Sequence, residues 1–132
     1  MNSLERTMAA ISHMEGDRVP LFLLLSLYGA KELQIPIKQY FSNPQNIVEA
    51  QLRMKTKYRN DCIFTFFYAP IEVEAFGGEV IFVDDGPPNS GEPFIKSIEQ
   101  IAKIEIPKIS ETACLKKVLE ATSLLKSSVG NE

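Results

Sequence analysis

The sequence predicts an α/β fold: the N-terminal part of a (β/α)8 barrel, incomplete within 132 residues. Three observations predict it. Two runs, residues 19–27 (VPLFLLLSL) and 62–68 (CIFTFFY), are apolar on both faces, as in strands of a parallel sheet covered by helices. Segments of helical periodicity flank and separate them. There are only two such runs, whereas a closed barrel needs eight strands and roughly 250 residues.

Taken in order, Ser3 is placed to cap a helix that runs to Met14 and is stopped by Gly16. Leu4, Met8 and Ile11 form an apolar stripe on it, at helical spacing. Residues 15–18 (EGDR) make a polar turn into the first apolar run, where Pro20 is tolerable near the start. Ser26, Tyr28 and Gly29 mark its carboxyl end. A helix begun at Tyr28 cannot pass Pro36, and residues 35–41 suit one short helical turn. Asn43-Pro44 is a cap followed by proline at the first helical position, predicting a helix to Tyr58. Lys55, Lys57 and Arg59 complement the dipole at its end. Beyond the second run, Pro70 opens a short helix and Gly77-Gly78 ends it. Residues 79–83 alternate as an edge-like strand, and 84–91 (DDGPPNSG) read as a loop. Ser97 with Gln100 spells a capping box for a helix to Lys103. Pro107 breaks the chain, and Ser110 is placed to cap a last helix over residues 111–126.

Composition narrows the function. The net charge is −3 and no basic stripe occurs, which argues against nucleic acid. No apolar run reaches the roughly 18 residues of a membrane span. Glu5, Arg6, His13 and Glu15 interrupt any leader-like stretch, so a cytoplasmic location is the default expectation. Cys62 and Cys114 have no C-x-x-C partner and read as small apolar fillers. His13, the single histidine, reads as a surface residue or helix-end partner. Asp84-Asp85 offers a carboxylate pair for metal or acid/base work, although such pairs are also ordinary turn chemistry. Dinucleotide, phosphate-loop, zinc-protease and serine-hydrolase motifs are all missing. No catalytic residue and no metal ligand is assigned. Ligands of α/β folds bind at the carboxyl ends of strands, which makes Ser26, Tyr28 and Tyr68 the candidate substrate-binding residues. Strand-end packing accounts for the same three equally well.

Three segments, EGDRVPLF (15–22), DCIFTFFYAPIEVEAFGGEV (61–80) and FIKSIEQIAKIEIP (94–107), occur in this order. Together they resemble the N-terminal region of the uroporphyrinogen decarboxylase superfamily. That superfamily includes the methylcobamide:coenzyme M methyltransferases and related corrinoid methyltransferases. The resemblance covers nearly all of residues 1–132, read as one domain, and implies a barrel whose cleft faces the carboxyl ends of its strands. It also implies that decarboxylases carry two arginines after the first strand's start and an aspartate at the end of the second. The matching positions here are Leu25, Gly29 and Tyr68. Leucine and glycine cannot grip a carboxylate in bidentate fashion. A phenol with a pKa near 10 cannot stand in for an ionised carboxylate.

The methyltransferase branch is therefore the leading expectation: methyl transfer from a methylcobamide to a thiol. The resemblance implies zinc and a corrinoid for the full-length enzyme, with a corrinoid protein or a small-molecule thiol as partner. The zinc ligands of that branch, a histidine and cysteines later in the barrel, have no counterpart here, so the chain alone is expected to be inactive. Two other expectations stand beside it. One is a decarboxylase-like enzyme with a diverged site. The other is a non-catalytic truncated module that self-associates through exposed strand edges.

Overall fold

Helix starts follow the capping chemistry where an asparagine supplies it. The computed structural model describes residues 1–65 and 67–130. Helix α1 (Ser3–Ile11) is capped by Asn2 rather than Ser3. The Asn2 side chain accepts from the Glu5 N–H at 2.8 Å, and the Glu5 carboxylate accepts from the Asn2 N–H at 2.9 Å. After α2 (Tyr28–Leu33) and α3 (Ile37–Ser42), α4 (Pro44–Tyr58) begins on Asn43, whose side chain accepts from Gln45 N–H at 3.0 Å. Helix α5 (Ile71–Ala75) follows Pro70 and ends before Gly77, which adopts φ +86°. That is a left-handed stop that glycine takes without strain.

The later caps differ from expectation. Ser97 makes no side-chain cap before α6 (Ile98–Ile101), and the Gln100 side chain accepts from the Lys96 N–H rather than from that of Ser97, so the capping box does not form. Helix α7 (Ala113–Val129) starts at Thr112 rather than Ser110, and the Thr112 hydroxyl donates back to the Lys108 carbonyl at 2.8 Å.

Among the described residues, the strand ladder joins β1 (Val80–Ile81) to β2 (Asn89–Ser90), antiparallel, with Val80 opposite Ser90 and Ile81 opposite Asn89. The expected loop 84–91 thus ends in a short strand that folds back on the edge strand. The two apolar runs, by contrast, carry no ladder among the described residues. Among the described residues, the backbone hydrogen bond that links them is at their beginnings, where the Asp61 N–H donates to the Leu21 carbonyl at 2.9 Å. Phe66, inside the second run, lies outside the described residues. The difference has a plain cause: apolar patterning marks a segment for burial, but ladder hydrogen bonds need a neighbouring strand at the right spacing. The first run is also more open than its pattern predicts, with Val19 85% and Leu24 65% exposed.

The core lies where α2, α3, α4, α5 and α7 converge. Tyr40, Phe41, Ile47, Met54, Phe67 and Tyr68 are buried there, and Ala50 and Ala121 are fully buried on the packed helices α4 and α7. Gly29 allows the close approach of α2, since a Cβ there would run into the Tyr40 ring and stand 2.8 Å from the Ala50 Cβ. Helix α1 reverses the expected facing. It buries Arg6 and Ala9, while Leu4, Met8 and Ile11 are exposed. Among the described residues no helix is long and apolar enough to cross a membrane.

Candidate functional site

The carboxyl end of the first apolar run opens onto a cavity of about 280 Å³. Leu27, Ile35 and Ile37 form its apolar wall, and Tyr28, Lys31, Asp84 and Asp85 its polar rim. Tyr28 sits in the first turn of α2, its ring edge-on to Tyr58 at 6.4 Å and 5.5 Å from the Lys31 Nζ. Helix α2 is held on α4 by Glu32, which accepts from Lys57 Nζ at 2.6 Å and from the Tyr58 hydroxyl at 3.0 Å. The Lys57 hydrogen bond, with help from Tyr58, holds the Glu32 carboxyl below its ordinary range. An apolar wall with a rim of mixed charge suits a small ligand having one apolar part and one charged end.

Of the three candidate residues, Tyr28 lines this cavity, while Ser26 and Tyr68 stand outside its lining. The Ser26 carbonyl accepts from the Tyr40 hydroxyl at 3.2 Å, fixing the end of the run. Burial pushes the Tyr40 phenol up to about 12. Tyr68 is buried among Phe41, Phe82 and Phe67, with ring centroids at 5.2, 5.4 and 6.4 Å. Its hydroxyl donates to the Glu74 carboxylate. Burial first, and then Glu74, raise its pKa, so the phenol keeps its proton. Cys114 lies against the same seam, its Sγ 3.8 Å from the Ile71 carbonyl; burial and the Glu74 charge push that thiol up. Burial likewise raises Cys62, so neither cysteine is poised as a thiolate. Glu74 was not singled out in the sequence. Its one signal is an acidic position on a short helix just after a buried tyrosine.

A second polar cluster went unread in the sequence and sits at the opposite, amino ends of the runs. Arg6 donates from Nε to Asp17 at 2.6 Å and from Nη1 to Asp61 at 2.6 Å. Arg18 grips both Asp61 oxygens, at 2.6 and 2.9 Å. Ser3 Oγ and the Leu21 N–H complete the set around Asp61, at 3.0 and 2.8 Å. Burial alone would raise Asp61, but the Leu21 N–H, Arg18, Ser3 and Arg6 outweigh it and hold the carboxyl at about 2. Asp17 is held well below its ordinary range, chiefly by its hydrogen bonds to Arg6. This cluster ties α1 and both runs together, and that end of a β/α unit serves stability rather than chemistry. His13 stands exposed just beyond α1, at φ 56°.

The model of uroporphyrinogen decarboxylase (URO-D) matches residues 2–132. The chain belongs to the uroporphyrinogen decarboxylase family. Its structure superposes on a methyltransferase from Methanosarcina mazei with a TM-score of 0.78 and 20% sequence identity. The match covers 98% of this chain and 40% of that one, so this chain spans less than half the length of the protein it superposes on. At that identity the likeness shows a shared fold. No curated protein matches the chain.

In this URO-D family member, the three positions matched to decarboxylase substrate contacts have definite surroundings. The space a side chain at Gly29 would need is taken by Tyr40 and Ala50. Leu25 packs against the core, and Tyr68 is tied to Glu74. Zinc finds no cradle among the described residues: no three His, Cys, Asp or Glu side chains come together to hold a metal ion. No step is therefore assigned to zinc on these residues.

Proposed function

We propose that this chain forms the opening part of a (β/α)8 barrel in a corrinoid-dependent methyltransferase, which moves a methyl group from a methylcobamide to a thiol. The observation that carries the reading is the closed space at Gly29. An arginine placed there to hold a substrate carboxylate would have to displace Tyr40 from the core. The fold likeness to a methyltransferase points the same way.

In this reading the mouth cavity receives the thiol acceptor. Ile35, Ile37 and the Tyr28 ring hold its carbon skeleton, and Lys31 attracts an anionic end. Ser26 and Tyr68 support the mouth from behind, through Tyr40 and Glu74. Zinc, where the complete enzyme binds it, supplies a thiolate at neutral pH. The chain alone is expected to be inactive, since among the described residues no set of ligands for that ion comes together. The partner is a corrinoid protein, or a free methylcobamide, presented to the mouth. Two free cysteines suit a reducing, cytoplasmic setting.

The test fuses this chain to the part of the Methanosarcina mazei methyltransferase outside the matched region. Methylcobalamin demethylation by 2-mercaptoethanesulfonate with added zinc is then followed by absorbance. The fusion is expected to turn over and the chain alone is not. Lys31→Ala in the fusion is expected to raise KM for the sulfonate thiol by about tenfold, the loss of one charge contact. Decarboxylation of uroporphyrinogen by the fusion would overturn the reading.

A further inference from the structure

The turn between β1 and β2 brings a carboxylate pair, Asp84 and Asp85, to the rim of the mouth cavity, where Tyr28 and Lys31 of α2 also stand. That turn is held at both ends. The Gly91 N–H donates to the Glu79 carbonyl at 2.9 Å, next to the β1–β2 ladder. Phe82 packs edge-on against the buried Tyr68, with ring centroids 5.4 Å apart. Among the described residues, no ion pair or hydrogen bond occupies the Asp84 or Asp85 side chain, and neither is paired with Lys31. The Lys31 ammonium lies 5.5 Å from the Tyr28 ring instead. One cavity of about 280 Å³ thus presents two negative charges and one positive charge that do not neutralise each other. A ligand with an anionic end alone meets the attraction of Lys31 and the repulsion of two carboxylates together. A ligand that also carries an ammonium group answers both signs.

We propose that the thiol received by this cavity is a zwitterion, a small α-amino-acid thiol. Its carboxylate faces Lys31, its ammonium faces Asp84 and Asp85, and its carbon chain lies along Ile35 and Ile37. Asp84 and Asp85 determine specificity, because they turn away simple anionic thiols that Lys31 alone would accept. The inference rests on the methyl-transfer reading for the thiol, while the charge preference follows from the rim itself. A metal ion is the weaker occupant. Among the described residues no three ligand side chains come together, and the Lys31 charge on the same rim repels a cation.

The experiment titrates the unaltered chain with three thiols and follows amide shifts by NMR. Cysteine carries both charges, 3-mercaptopropanoate lacks the ammonium, and 2-aminoethanethiol lacks the carboxylate. Cysteine is expected to shift residues 27–37 and 82–86, and each of the other two to bind about tenfold more weakly. Asp84→Asn with Asp85→Asn is expected to bring cysteine and 3-mercaptopropanoate within about twofold of each other. Shifts across α4 report whether that variant folds, and if it does not, the three affinities of the unaltered chain decide. Equal binding of cysteine and 3-mercaptopropanoate, no binding of cysteine, or a preference that survives in the folded variant would overturn the inference. So would magnesium chloride that displaces cysteine from these residues. A fusion that methylates 2-mercaptoethanesulfonate, beside a chain without the charge preference, sinks the inference alone. The preference, beside a fusion that methylates none of these thiols, sinks the methyl-transfer reading and leaves the cavity a zwitterion site.

Discussion

Asp61 accepts from two arginines, a serine hydroxyl and a backbone N–H, while its side chain is only 1% exposed. An ionised carboxylate so far from water survives only because every acceptor direction is filled. Its folded pKa of about 2 lies below the ordinary 3.8. A depressed carboxyl contributes stability that is fully present above about pH 4 and is lost as pH falls through the folded value. Allowing for screening at the exposed Arg18, the contribution is about 1–2 kcal/mol. Urea unfolding is therefore expected to show midpoints that fall between pH 4 and pH 2. Asp61→Asn should lose about 3 kcal/mol at neutral pH, because it strands buried arginine charge, and should flatten that acid limb. A variant that keeps the same acid limb would assign it to other carboxyls. Little of this was legible. Asp17 and Arg18 read as part of a polar turn and Arg6 as a break in a leader-like stretch, and the partner that turns Arg6 inward lies 55 residues away. The place of Tyr28 at the mouth of a cavity was legible, because the end of an apolar run is a local feature. The Tyr68–Glu74 bond was not, since spacing along the chain does not tell which way a short helix presents its acids.

Elements were readable where a short motif decides them. Asn43-Pro44 fixes the start of α4, and Pro70 with Gly77 brackets α5. Ser97 and Ser110 misled: Ser97 holds the position before α6 without a side-chain cap bond, and α7 begins two residues later than a Ser110 cap predicts. The apolar runs showed that they belong against other structure, but not how many neighbours would be present to form a ladder. The contact of α2 with α3 and α4 turns on Gly29, a position where composition says nothing and packing says a great deal. Adding one methyl group there forces Tyr40 or Ala50 to move in a core with no slack. Gly29→Ala is expected to cost about 1–3 kcal/mol, the usual range for overpacking, seen as a lower thermal midpoint. Unchanged stability would show that the Tyr40 ring can swing aside, which would reopen the position to larger side chains and revive the decarboxylase reading.

On the scale of the whole molecule, exposed apolar side chains occur along much of the chain, and one group of them lies in its first 24 residues. The end of α1 and the start of the first run share one opening, lined by Ala10, Met14, Val19 and Pro20. Met8 and Ile11 on α1, and Phe22 and Leu24 along the run, are exposed near it in sequence. Apolar side chains left exposed together on a helix and the run that follows it are the material of an interface. In the barrel proposed above this surface would be covered, and its helical stripe would then bury as the spacing on α1 first implied. The two states make opposite demands on the same residues. In the chain alone, Met8→Gln with Ile11→Gln touches side chains already 51% and 66% exposed, so stability should move by no more than about 0.5 kcal/mol. Binding of a hydrophobic dye should fall. In the fusion that completes the barrel, the same pair should cost about 2 kcal/mol or more, the loss of two buried apolar contacts. Denaturation midpoints of both proteins, each with and without the substitutions, measure the difference. Equal costs in the two would mean that α1 shows this stripe to solvent in the assembled protein as well, and that the surface closing the barrel lies on the first run alone.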